Sequence, residues 1–199
     1  MTAEKDFWSW FVQHEAELFN FEVDQENIFD QLAFQLGKVH KDLTFEFGPK
    51  TVPREFVVSA AGIKAAFPAV VSLVGAVPPL EKWQVTAFRP RRTLSNTVEF
   101  RGKRVDPEDV QFTLLNNGKM AGIYLFMPGF QENDTDLKQI GYLLLDEALG
   151  EYDVESRLGL IEMLPYDART EGERYPLAEL PRLFDQLTSR LEGLSGKPS

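Results

Sequence analysis

Val110-Gln111-Phe112-Thr113-Leu114-Leu115-Asn116-Asn117-Gly118-Lys119-Met120-Ala121-Gly122-Ile123-Tyr124-Leu125-Phe126-Met127 is the stretch that decides the fold class. Two apolar runs flank Asn-Gly, whose tolerance of left-handed backbone closes tight hairpin turns. Pro128-Gly129 stops the second run. The reading is a pair of antiparallel strands, 110–115 and 119–127.

Working outward toward the C-terminus, Asp134 or Thr135 is placed to cap a helix carrying Leu137, Ile140, Leu144, Leu145 and Ala148. Gly150 follows as its left-handed terminator. Val154 to Met163 reads as a further strand. Pro181 opens a last helix with Leu183, Phe184, Leu187 and Leu191 inward. The Gly/Ser/Lys/Pro tail over 193–199 is expected to be disordered.

Toward the N-terminus the same patterns recur. Arg101-Gly102 joins 97–100 to 103–105 as a tight hairpin, and Trp83 to Phe88 is a strand. Leu43-Thr44-Phe45-Glu46-Phe47 alternates apolar with polar, and Glu55 to Ser59 answers it as the other arm of a hairpin. Ile63, Phe67, Val70, Val71 and Val74 repeat at helical spacing. Before them, Phe7, Phe11, His14 and Leu18 define one helix over about 4–21. Ile28, Leu32, Leu36 and Val39 define a second after Asp24, and the two form an αα-hairpin. The order hairpin, helix, strand occurs twice, as a duplicated unit would leave it.

Hairpins outnumber β-α-β units. The expected fold is therefore α+β: a largely antiparallel or mixed sheet with helices packed mainly on one side, in a single domain over 1–192. A chain of 199 residues lies within the size range of one domain. No basic and apolar leader opens the sequence, and no apolar run spans a bilayer, so cytoplasmic residence without membrane association is the default.

The composition removes whole classes of chemistry. The chain has no cysteine and two histidines, His14 and His40, which excludes disulfides, thiolate metal sites, cysteine nucleophiles and histidine-rich metal centres. No glycine-rich nucleotide motif, nucleophile elbow or zincin motif occurs, so no cofactor is expected. The net charge of −10 disfavours nucleic acid. That charge is uneven: residues 82–104 hold 7 basic and 1 acidic side chains, between two acidic segments.

Three constellations are candidates for function. Arg89, Arg91 and Arg92, with Arg101, Lys103 and Arg104 behind them, have the forked donors that hold carboxylates or phosphates. They read either as an anion or acidic-partner site or as charges paired with the protein's own acids. Asp146, Glu147, Glu151 and Asp153 gather at a helix C-terminus, where the dipole prefers cations. They read as acid/base or divalent-cation carboxylates, or as a helix end whose acids meet the arginines. Phe7-Trp8-Ser9-Trp10-Phe11 has more aromatics than one stripe can bury. Trp8 or Trp10 is left for a second surface, either a partner or homo-oligomer contact or packing on the neighbouring elements.

The segments Phe7 to Phe11, Leu43 to Lys50, Phe88 to Arg92 and Gly141 to Glu155 resemble an uncharacterised bacterial family, a domain of unknown function. The resemblance implies bacterial origin and carries no activity or catalytic residue. The functional expectation is a non-enzymatic binding or regulatory protein whose basic and aromatic surface engages an unknown protein or anionic ligand. The alternative is a carboxylate-based hydrolase or nuclease-like enzyme, metal-dependent or not, acting on an anionic substrate.

Overall fold

The computed structural model describes residues 2–94 and 96–195, with side chains through Glu192. Of the tail expected to be disordered over 193–199, residues 193–195 continue the last helix, and 196–199 lie outside the described residues. The fold is α+β, built from helices and antiparallel or mixed sheets. The chain divides into two compact units, residues 1–89 and 90–199, where the sequence reads as one domain over 1–192. Each has its own apolar cluster.

The first unit opens with α1 (Ala3–Gln13) and α2 (Glu15–Phe19), separated at His14, then α3 (Gln25–Val39). Thr2 caps α1 by accepting the Lys5 N–H, as a hydroxyl at that position does. β1 (Thr44–Phe47) and β2 (Arg54–Ser59) form the expected hairpin, with Phe45 opposite Val58 and Phe47 opposite Phe56. α4 (Phe67–Gly75) has Pro68 in its first turn, where no amide donor is needed. It leads to β3 (Trp83–Ala87), which pairs parallel to β2. The core is strongly aromatic: Phe7, Trp8 and Phe11 from α1 close on Phe56, with ring centroids 5.1–6.4 Å apart.

Arg54 is the largest fully buried side chain of the unit, 2% exposed. Its Nε donates to the Gly48 carbonyl at 3.0 Å, one terminal nitrogen to the Phe19 carbonyl at 2.6 Å, and the other to Glu22 Oε1 at 2.7 Å. The guanidinium also stacks 4.2 Å from the Phe21 ring centroid. A buried charge is tolerable only when paired and hydrogen-bonded in this way.

The second unit begins with the small hairpin β4 (Val98–Phe100) and β5 (Lys103–Val105). β6 (Gln111–Asn116) and β7 (Ala121–Met127) follow, turning at Gly118 with φ +84 as Asn-Gly predicted. α5 (Thr135–Leu149) is capped by Asp134, whose carboxylate accepts the Leu137 N–H at 3.0 Å. Gly150, at φ +81, ends it.

Here the sequence reading needs correction. Residues 151–157, whose second half overlaps the start of the predicted strand 154–163, are helical, as α6 (Glu151–Arg157). Only from Leu158 does the chain extend, as β8 (Leu158–Pro165), parallel to β7. Val154 is buried in either conformation, and its apolar character concealed the helix. β9 (Tyr175–Pro176) adds a short antiparallel strand to β6, and α7 (Leu180–Ser195) closes the chain.

The sheet order is β8-β7-β6-β9. α5 and α7 share one apolar cluster with Phe112, Ile123, Leu125 and Met163. Approach of α5 to the sheet depends on Gly141: a Cβ there would lie 2.7 Å from Met163 Cε and 3.1 Å from Met127 Sδ. Residues Phe126 and Thr113 are covered from the 166–174 segment, by Arg174 stacked on the Phe126 ring and the Glu173 carbonyl accepting from Thr113. Both units therefore contain an antiparallel hairpin, a helical crossover and a parallel third strand, in the orders β1-β2-β3 and β6-β7-β8. The repeated hairpin–helix–strand order has a structural counterpart.

Candidate functional site

The C-terminal end of α5 is where the basic and acidic candidates of the second unit meet. A helix leaves its last carbonyls without intrahelical donors, and its dipole is negative there. Four acids near that end require a cation. Arg91 supplies it. Its Nε donates to the Leu149 carbonyl at 2.8 Å, and its terminal nitrogens donate to both carboxylate oxygens of Asp185 on α7 at 2.9 and 3.0 Å. A further bond reaches Asp153 Oδ2 on α6 at 2.6 Å. The neighbouring Arg92 amide donates to the Glu147 carbonyl at 2.7 Å. Residues 91–92 thus stitch an irregular segment to the end of α5.

The network extends through Asp153 to Arg157, 3.5 Å away, and from Arg157 to Glu192 on α7 at 2.6 Å. Two guanidiniums and three carboxylates join α6, α7 and the 90–97 segment. Hydrogen bonding to Asp185 raises the Arg91 pKa further, partial burial opposing and Asp153 adding to the effect. The cation is permanent over any working pH.

The remaining acids are placed differently. Glu151 is fully buried in the first turn of α6, where a negative charge suits the helix dipole. Asp146 and Glu147 are half-buried near the end of α5 and also have interaction partners. Among the described residues no three His, Asp or Glu side chains approach closely enough to hold a metal ion. The four acids are thus divided between structural pairing and burial.

The other members of the basic island also meet acids. Arg89 belongs to the first unit and donates to Glu46 on β1. In the second unit Lys103 pairs with the helix-capping Asp134, Arg101 lies 3.7 Å from Asp136, and Arg104 lies 3.5 Å from Glu99. Hydrogen bonding from Lys103, with the Leu137 amide next, holds the Asp134 carboxyl below its ordinary range. Arg89, Arg101, Lys103 and Arg104 thus each lie within ion-pair distance of an acid.

Trp8 is buried, 3% exposed, with its indole N–H donating to the Leu73 carbonyl at 2.8 Å. Of the two alternatives the sequence leaves for Trp8 or Trp10, Trp8 takes packing on the rest of the unit, joining α1 to α4. Trp10 is half-buried and stacks on the His14 ring at 4.8 Å. His14 Nδ1 lies 2.9 Å from the Trp10 carbonyl oxygen, as a hydrogen-bonded structural histidine. What sequence reasoning missed is the groove beside these aromatics. It encloses about 510 Å³ along α1, lined by Lys5, the edge of Trp8, Val12, Ala76 and Pro78, with Val12 half exposed. The surplus of aromatics in 7–11 was its only sequence signal.

No helix among the described residues is long and apolar enough to cross a membrane. No family model matches the chain, and no curated protein or solved structure matches it.

Proposed function

We propose that the protein is a non-enzymatic, cytoplasmic binding or regulatory protein. The observation that carries this reading is the Arg91 bridge. Arg91 and Asp153, an arginine and a carboxylate that could have served an enzyme, are engaged with each other, and Arg91 also with the carbonyl at the end of α5 and with Asp185 on α7. A hydrolytic site needs a carboxylate free to exchange a proton or hold a metal, and Asp153 accepts from Arg91 with Arg157 close by.

Binding is assigned to the α1 groove, because it is apolar, rimmed by Lys5, and bordered by the exposed Val12. An apolar side chain next to a carboxylate on a partner protein suits that lining. The test compares wild type with Val12→Asp in partner capture from the native host, alongside calorimetric titration with Mg²⁺ and Mn²⁺. Loss of one wild-type partner in the variant, with no saturable metal binding, is the expected outcome. Saturable metal binding abolished by Glu147→Gln overturns the reading in favour of the enzyme.

A further inference from the structure

We propose that β8 is a self-pairing edge, through which two copies of the chain join their second-unit sheets into one continuous antiparallel-paired sheet about a two-fold axis. The two edges of the sheet differ in protection. β9 is two residues long and ends in Pro176, so it presents almost no ladder of free backbone groups. β8 is eight residues long and, among the described residues, bonded on one side only, to β7. Its only charged residue is Glu162, and its only proline is the terminal Pro165. Gly159, Leu160 and Glu162 are exposed, Leu160 to 43%. The outer strands of the first-unit sheet, β1 and β3, have four and five residues.

A second copy is the occupant that closes the assembly. Joining β8 to its mate leaves the sheet ending at both sides in the short, proline-blunted β9, so no long edge stays open to extend the sheet. Symmetry also constrains the register. A two-fold axis perpendicular to a sheet preserves its faces, so one residue must lie opposite its own copy. Glu162 is excluded, because like charges placed directly opposite repel. Centring on Met163 would draw Pro165 into the ladder, opposite Ile161. Centring on Ile161 keeps Pro165 outside the apolar ladder and sets Leu160 opposite Glu162, two residues of one face. The irregularity where Ala121 and Gly122 meet Leu158 and Leu160 falls at Gly159, so the regular ladder ends there.

The contact lies at the small end of specific interfaces, so the dimer forms at roughly micromolar protein and above. The chain has no cysteine, which makes a single introduced thiol an unambiguous reporter. Opposed residues of an antiparallel pair lie within disulfide reach. Light scattering of wild type over about 1 to 200 μM should show a monomer–dimer equilibrium. Leu160→Lys/Glu162→Lys, confined to exposed positions, should raise the dissociation constant at least about tenfold without changing the circular dichroism. Under mild oxidation Ile161→Cys should form a covalent dimer, whereas the exposed control Gln131→Cys should not. A wild-type monomer throughout that range overturns the proposal. So does a dimer that persists unchanged in the double lysine variant, or one that cross-links at Gln131 and not at Ile161. These readouts are independent of partner capture at the α1 groove.

Discussion

Arg91 and Asp185 face each other fork to fork, each terminal guanidinium nitrogen donating to a different carboxylate oxygen across 94 residues of sequence. Because the same side chain also reaches the Leu149 carbonyl and Asp153, its removal leaves one carbonyl and two carboxylates without their donor. Arg91→Ala is therefore expected to lower stability by about 2 kcal/mol, read by urea unfolding. Arg91→Lys keeps the charge but loses the fork, so it should recover less than about half of that loss. Equal stability of the lysine variant and wild type would mean that charge alone matters.

Arg54 presents a harsher case. Its three acceptors come from separate segments around Phe19, Glu22 and Gly48, and its side chain is almost wholly removed from water. Arg54→Ala should cost about 3 kcal/mol, at the low end for breaking a buried pair because Glu22 is partly solvated. Arg54→Met, which fills the same volume, should cost less. A smaller loss in the alanine variant than in the methionine variant would contradict this account.

The Lys103–Asp134 pair gives stability a defined pH dependence. Its hydrogen bonds depress the Asp134 pKa in the folded state, led by Lys103. The unfolded chain therefore takes up the proton first as pH falls. The contribution is complete above the unfolded aspartate pKa of about 3.9 and fades as pH drops through the lower folded value. Glu22 acts in the same direction through Arg54. Lys103→Met should flatten the fall of unfolding free energy between about pH 5 and 3. An unchanged slope would remove Asp134 as its source.

Gly141 sits in mid-helix, where glycine is ordinarily a weakness. Alanine there gains about 1 kcal/mol of helix propensity but drives its Cβ into the tips of Met163 and Met127. Flexible methionine ends yield in part, so Gly141→Ala should be destabilising by about 1 kcal/mol net. A rise in thermal midpoint would show that the methionines move freely.

Much of this architecture was legible in the sequence because its signals are local. Asn117-Gly118, Arg101-Gly102 and the alternation over Leu43–Phe47 each specify a hairpin without reference to anything distant. Asp134 and Gly150 likewise bracket α5 at both ends. The helix over 151–157 was missed because a short segment with one buried face, Val154, satisfies helix and strand patterns alike. At the candidate site, sequence brought out both charge clusters and offered their pairing as one alternative. It did not reveal that Arg91 meets Asp185, since nothing local links residues 94 positions apart. The burial of Arg54 was invisible for the same reason: its carbonyl partners carry no side-chain signature. Which alternative Trp8 takes was not legible, because a helical wheel cannot show α4 presenting the Leu73 carbonyl to the indole.

The aromatic packing of the first unit has an optical consequence. Trp8, Trp10 and Trp83 all lie within residues 1–89, whereas Tyr124, Tyr142, Tyr152, Tyr166 and Tyr175 all lie beyond residue 90. Selective excitation of indole therefore watches the first unit, while the tyrosine component of the near-ultraviolet spectrum, once resolved from the overlapping indole band, watches the second. The wild-type chain carries its own two-colour thermometer, and a single melt recorded in both channels tells whether its halves come apart together.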